Sequence, residues 1–506
     1  MSKTTSLMVL VKSLSKAEKR YFRLYSNLQS GEKMYLYLFD LIERDTSREA
    51  LHTQFCLKYD EKSFEVAAKH LYQTILDCLV FLRGKNDIQA KIFNLITEAN
   101  ILFESNLYDD AILHLNKAKK LATTYEMDKL ILLIRCSELK YMNAMEFGNI
   151  TERQLVGKQM KIVEMIKYSR TSYLHSQLYD ILKHRLIYKG YARSDKQRQD
   201  LNDLVLSELN LIANNSYKGF ETQKLHLLFQ ATYYLNCGYY KTAIDLYQML
   251  INLFEENRHM ILNPPIYYLQ AILGILNSLM AASLYDEMPF FIDKLKEIEQ
   301  GDYPNDFIIS VRAHIFLYDF SRIFNVGDFD SATQLVNGCE DNLFKKISFL
   351  GLEMQLRLLL SLTILDISTV NLTGARKSMR KIIGSGKLFY VLPTYRHVRL
   401  LNLILQAELG NYDFFENEIK SIKRSIRFEN HVYATERLLF KFVQNYHLLN
   451  QEKARAKLMN HLEKETIRIN RNKYEQQLLT VFDFLSWMES KLTRRKFSEI
   501  LAEKNK

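Results

Sequence analysis

The sequence predicts an all-α fold, an α-solenoid of antiparallel helix hairpins preceded by an N-terminal helical region. Three observations carry that expectation. A phrase built from a turn residue, an aromatic and, in the clearest copies, an alanine three positions on recurs about every 43 residues. Self-similarity at a fixed period marks units that bury their apolar faces only against neighbours. Five prolines and 16 glycines in 506 residues suit helices joined by short turns, and no run of alternating residues signals a strand. A chain this long with 47% hydrophobic residues also outgrows one core, because cores stop enlarging near about 250–300 residues.

Residues 1–88 lack the phrase and form a helical region of their own. Ser15 and Glu18 make a capping box opening the helix KAEKRYFRLYSNL, and Thr46 and Glu49 make another before a short helix ending near Phe55. Phe64, Ala68, Leu71, Ile75, Leu79 and Leu82 then form the apolar stripe of a longer helix. Two readings are open for this region. The short helix, the turn at KYDEKS and the longer helix suit a helix-turn-helix, with Lys16, Lys19, Arg20 and Arg23 on phosphates. Asp60, Glu61 and Glu65 at the start of the reading helix would repel those phosphates, which favours a cap or a divergent first repeat.

Residues 89–465 hold the repeats. The phrase reads NLYDDAI around Tyr108, GYYKTAI around Tyr240, SLYDEM around Tyr285, GDFDSAT around Phe329 and GNYDFF around Tyr412. Weaker copies are FGNITER near Asn149, KGYARSD near Tyr191, VNLTGAR near Leu372 and LNQEKAR near Gln451. Gly238, Gly327 and Gly410 fall where an apolar-periodic segment ends, the place for a left-handed residue that closes a helix. The aromatic after the turn is expected to wedge between the two helices, and Ala111, Ala243 and Ala332 let them approach closely. Each unit is then a helix pair of about 18 residues per helix, about 27 Å long. The prolines sit near helix starts or loops, at Pro264, Pro265, Pro289, Pro304 and Pro393.

On the turn residue, aromatic and alanine, as in Gly238, Tyr240 and Ala243, the stretch from about 90 to 465 resembles the tetratricopeptide-repeat family. The resemblance implies helix hairpins. The chain departs from that family in its longer period, nearer the ~40–47 of HEAT-type repeats. It also lacks the first-helix tryptophan, since its sole tryptophan is Trp487, and most of the repeat-ending prolines. HEAT-like helices are the alternative.

Residues 466–506 are expected to cap the stack. Leu478, Phe482, Leu485, Met488 and Leu492 form one stripe, while Phe484 and Trp487 point to another side. That second side is expected to pack internally, with a partner or a second copy as the alternative. The final RRKFSEILAEKNK is polar and expected to fray.

The net charge of +11 is unevenly spread: residues 371–506 hold 26 Lys and Arg against 14 Asp and Glu, and the first 370 hold 43 against 44. Lys420, Lys423, Arg424 and Arg427 share one helix face, and Ile419, Ile422 and Ile426 the neighbouring one. Arg376 and Arg380, with Lys377 and Lys381 beside them, repeat this one unit earlier. Such faces are solvated, or bind an acidic protein segment or a nucleic-acid backbone.

Catalytic signatures are missing. Gly384-Ser385-Gly386-Lys387 ends like a phosphate loop, but Lys381 replaces the earlier glycine and Leu388 the magnesium-binding hydroxyl. No two of the twelve histidines lie three or four apart, and no HExxH or GxSxG occurs. No catalytic residue, metal or cofactor is expected. The cysteines at 56, 78, 136, 237 and 339 include no CxxC pair and lie in apolar stretches, which fits a reducing cytoplasm. The five-residue apolar run before Lys12 is too short for a signal-peptide core, and Ile266 to Leu284 is too polar for a membrane span.

The leading functional expectation is a non-enzymatic scaffold that holds a peptide or partner protein on a curved stack of about nine hairpins. Tyr234, Asn236, Tyr267, Tyr268 and Asn277 would line its concave face. The alternatives are a DNA-associated regulator with N-terminal contacts and a repeat sensor, and an accessory subunit or enzyme with a composite site.

Overall fold

Six turns at copies of the phrase share one backbone geometry, as do the turns at Glu126 and Glu146, and together they generate the architecture. Asn106, Gly238, Ser283, Gly327, Val370 and Gly410 are all left-handed, with φ of 60°, 75°, 59°, 84°, 61° and 74°. In each turn the N–H of the left-handed residue donates to the carbonyl three positions back, at 3.0–3.3 Å. The next N–H donates to the carbonyl five back, at 2.8–3.2 Å. This paired closure satisfies the last carbonyls of one helix and reverses the chain into the next. Glycine takes the conformation without strain at Gly327, whereas Val370 holds it against its branched Cβ.

A computed structural model of the chain describes residues 3–27, 33–44, 48–84, 87–148, 150–189, 192, 194–214, 219–261, 265–385, 388–429 and 433–505. Thr46, the side chains of Glu49 and Arg427, the phrase centres Asn149 and Tyr191, Pro264, and Gly386-Lys387 lie outside them. The described chain is 82% helical and without strands, an all-α helical-repeat fold. None of its helices is long and apolar enough to cross a membrane.

The turns join Ile88–Glu104 to Tyr108–Thr124, Phe220–Asn236 to Tyr240–Glu256, and Asn305–Asn325 to Phe329–Gly338. Further along they join Leu352–Ser368 to Leu372–Gly384 and Tyr395–Glu408 to Phe414–Glu429. Ala111, Ala243, Ala332 and Ala375, three residues past the first residue of four of these second helices, are fully buried, so there the second helix meets the first where side chains are smallest. Gly274 performs the same service between neighbouring units, because a Cβ there would sit 2.2 Å from the Tyr247 ring. The aromatic wedge is only partly realised. Tyr108 packs on Phe103 at 5.3 Å and Phe329 on Phe324 at 4.9 Å, but Tyr412 is 44% exposed.

Hydrogen bonds repeat the period in space. Tyr141 donates to Asn100 at 2.6 Å and Tyr318 to Asn277 at 3.0 Å, both across 41 residues. Arg396 donates to Glu436 across 40 residues, and the Ala434 N–H to Glu475 at 2.7 Å across 41. Each ties one unit to the next. Between the weaker phrases near Asn149 and Tyr191 the hairpin pattern gives way to one 38-residue helix, Glu152–Lys189.

The chain divides into two compact units. One contains Met1–Arg170, Arg258–Ile266 and Asp302–Ile308, the other Thr171–Asn257, Tyr267–Gly301 and Ile309–Lys506. In the first, Leu7, Phe22, Phe39, Phe55, Leu71 and Ile75 close a core confined to the N-terminal helices. The Ser15–Glu18 capping box forms there, with Ser15 N–H on Glu18 at 2.9 Å and Glu18 N–H on Ser15 Oγ at 3.1 Å. In the second, one core runs from Ile309 to Leu501. The chain's last residues belong to it. Contrary to the expected fraying, Phe497–Lys504 is a helix with Phe497, Ile500 and Leu501 buried. The polar count of that segment concealed three apolar residues at i, i+3 and i+4, enough for one buried stripe.

Candidate functional site

The five residues expected to line a concave face are engaged with their own neighbours. Tyr234 is half-buried, with its ring edge-on to Tyr233 at 5.4 Å and Tyr239 at 6.0 Å. Asn236 is buried and donates to the Thr232 carbonyl at 2.5 Å. Tyr268 donates to Glu255 at 3.2 Å, and Asn277 accepts from Tyr318. Tyr267 keeps 39% exposure, with the Lys224 ammonium 3.9 Å over its ring.

The surface of the second unit's hairpins instead carries the chain's own C-terminal segment. Tyr474 donates to Asp195 at 2.8 Å, and the Lys473 ammonium lies 3.6 Å from the Tyr239 ring centre. Tyr240 donates to the Lys473 carbonyl at 3.2 Å. The Trp487 indole N–H reaches Glu408 at 3.2 Å, and Lys491 meets the same carboxylate at 2.6 Å. Phe497 packs on Phe329 at 5.8 Å, and Asn505 donates to the Asn325 carbonyl at 2.8 Å. Two phrase glycines make room for it. A Cβ on Gly327 would lie 2.2 Å from the Ser498 carbonyl oxygen, and one on Gly238 would lie 3.2 Å from Lys473. The turn glycines therefore serve the segment as well as the backbone turn. The sequence predicts an end cap here, and the aromatic spacing carries no sign of which hairpins the segment touches.

The described residues of the basic faces are exposed, and the side chains of Ile426 and Arg427 lie outside the described residues. On Leu372–Gly384, Arg376, Lys377, Arg380 and Lys381 are exposed over buried Ala375, Met379 and Ile382. Their side chains have no hydrogen bond or ion pair among the described residues. On Phe414–Glu429, Lys420, Lys423 and Arg424 are exposed over buried Ile419 and Ile422. Here Lys420 pairs with Glu416 at 2.5 Å and Lys423 lies 5.8 Å from the Phe440 ring centre. Each is the second helix of its hairpin, and both pack on Tyr395–Glu408.

In the first unit Lys16, Lys19, Arg20 and Arg23 line a shallow depression of about 340 Å³ with Leu24, Asn27 and Glu43. Arg23 donates to Asp40 and Glu43, each at 2.7 Å, and Lys19 meets Glu43 at 3.2 Å. Burial raises the Glu43 pKa, but the hydrogen bonds from Arg23 and Lys19 outweigh it and hold the carboxyl below its ordinary value. Two of the four cations are thus neutralised, which weakens this face as a phosphate-reading surface.

Among the described residues no group of three or more His, Cys, Asp or Glu could hold a metal ion. Burial pushes the Cys78 and Cys237 thiols up to about 11, away from nucleophilic thiolate character. Burial, with the Arg357 charge adding to it, drives His314 down to about 3, and its Nδ1 has no hydrogen-bond partner among the described residues. Folded His314 stays neutral while the unfolded chain protonates it near pH 6.5, so its contribution is full above that pH and lost on acidification. Relative to His314→Gln, the wild-type chain should lose about 2 kcal/mol between pH 7 and pH 5. Parallel pH-stability curves for the two proteins would rule this out.

No family model matches the chain, and no curated protein matches it.

Proposed function

We propose that the chain is a non-enzymatic scaffold of tetratricopeptide-like hairpins that holds a peptide or partner protein on its helical-repeat surface. One observation supports this above the others: residues 473–505 already lie on hairpin turns of the second unit through aromatic, carbonyl and carboxylate contacts. A surface that holds one segment in cis has the chemistry to hold another in trans. The free cysteines favour a reducing, cytoplasmic setting.

The test is affinity capture with the tagged full-length chain at low and high salt, with and without nuclease. A protein recovered in constant ratio to the bait after nuclease and high salt supports the scaffold. Recovery of nucleic acid, or of proteins that vanish with nuclease, transfers the function to the DNA-associated reading.

A further inference from the structure

We propose that the outer face of Leu372–Gly384 and the exposed apolar residues Leu388, Tyr390 and Val391 form a docking surface for an acidic peptide segment with apolar anchor residues. The inference rests on the scaffold reading and names the partner's chemistry. Between Asp366 and Glu408 the chain has no acidic residue and seven Lys or Arg. Two of the seven are neutralised by other hairpin helices: Arg396 by Glu436, and Arg399 by Glu418 at 2.8 Å. Of the other five, Lys387 lies outside the described residues, and Arg376, Lys377, Arg380 and Lys381 occupy one exposed helix face without a partner among the described residues.

Exposed apolar residues follow closely along the chain. Ile383, three residues beyond Arg380, is 41% exposed, and Leu388, Tyr390 and Val391 are 58%, 49% and 81% exposed. The turn that carries them is anchored. Phe389 is buried in the core, Thr394 donates to Glu353, and the Tyr390 and Tyr395 rings lie 4.7 Å apart. Four uncompensated cations and four exposed apolar side chains in one short stretch of chain match a ligand that carries both carboxylates and apolar groups. A phosphate backbone would use the cations, yet leave the aliphatic side chains of Ile383, Leu388 and Val391 without contacts.

The probe is a labelled peptide in which glutamates alternate with leucines, titrated into the full chain. A glutamine-for-glutamate peptide, single-stranded DNA and phosphatidylserine vesicles serve as comparisons. The acidic peptide should bind in preference to all three and weaken with salt. Its affinity should fall at least about tenfold in Arg376→Gln/Arg380→Gln and again in Leu388→Ser/Val391→Ser. Unchanged thermal unfolding of these surface variants shows that they fold. Equal binding by wild-type and variants, or preference for DNA or vesicles, overturns the assignment. If the peptide does not bind but wild-type and Arg376→Gln/Arg380→Gln capture the same nuclease-resistant protein, this surface is excluded and the scaffold stands. If neither protein captures one, both readings fall.

Discussion

Trp487→Ala should lower the stability of the second unit by about 3–5 kcal/mol, the range for truncating a large buried aromatic. The indole is 2% exposed, stacks on Tyr446 at 6.0 Å and meets Phe442 edge-on at 5.5 Å. Its N–H satisfies Glu408, which Lys491 also pairs. Truncation leaves a cavity beside both rings and removes a hydrogen bond to a carboxylate. Trp487→Phe refills most of the volume and should lose far less, with the missing hydrogen bond contributing about 1–3 kcal/mol. Urea unfolding followed by circular dichroism gives the size of the effect. Hydrogen exchange reports its location, because loss of the anchor should deprotect Phe484–Thr493 and Phe497–Lys504 ahead of the hairpins. A loss under about 1 kcal/mol would mean that the segment rests on the hairpins without holding them together.

The second large effect is at Arg396. Its guanidinium donates through two nitrogens to both oxygens of Glu436, which is fully buried. Removing one partner of a buried pair leaves an uncompensated charge, and Arg396→Met should lose about 3–5 kcal/mol. Replacing both, as Arg396→Met/Glu436→Leu, should recover part of that loss. Recovery is incomplete because Glu436 also accepts the Tyr433 N–H at 3.0 Å, and that donor would be left unsatisfied. A double-mutant cycle measures the coupling directly. Additive losses would show that the two side chains act independently.

Both residues were visible in the sequence, but neither of these roles was. Arg396 falls in a helix whose spacing reads as amphipathic, and nothing local says that a glutamate 40 residues on will be its partner. Trp487 was separable from the Leu485 and Met488 stripe, yet its destination beside Glu408 depends on how several hairpins stack. The same holds for the cations. Arg376 and Arg380 were assigned to an exposed face from spacing alone, and they occupy one. Whether a cation is left without a partner is a different matter, decided by Asp40 and Glu43 for Arg23 and by Glu418 for Arg399.

What the sequence by itself determined is local. Helices, their left-handed turns at residues such as Gly238, Gly327 and Gly410, and the small alanines after them follow from interactions within a few positions of the chain. Those repeat because the phrase repeats. The tertiary structure alone decided where residues 473–505 lie, which of the tyrosines are tied down, and which basic face remains uncompensated. Those outcomes depend on contacts between residues tens to hundreds of positions apart, such as Tyr474 with Asp195, and a period read along the chain carries no information about which distant surfaces meet.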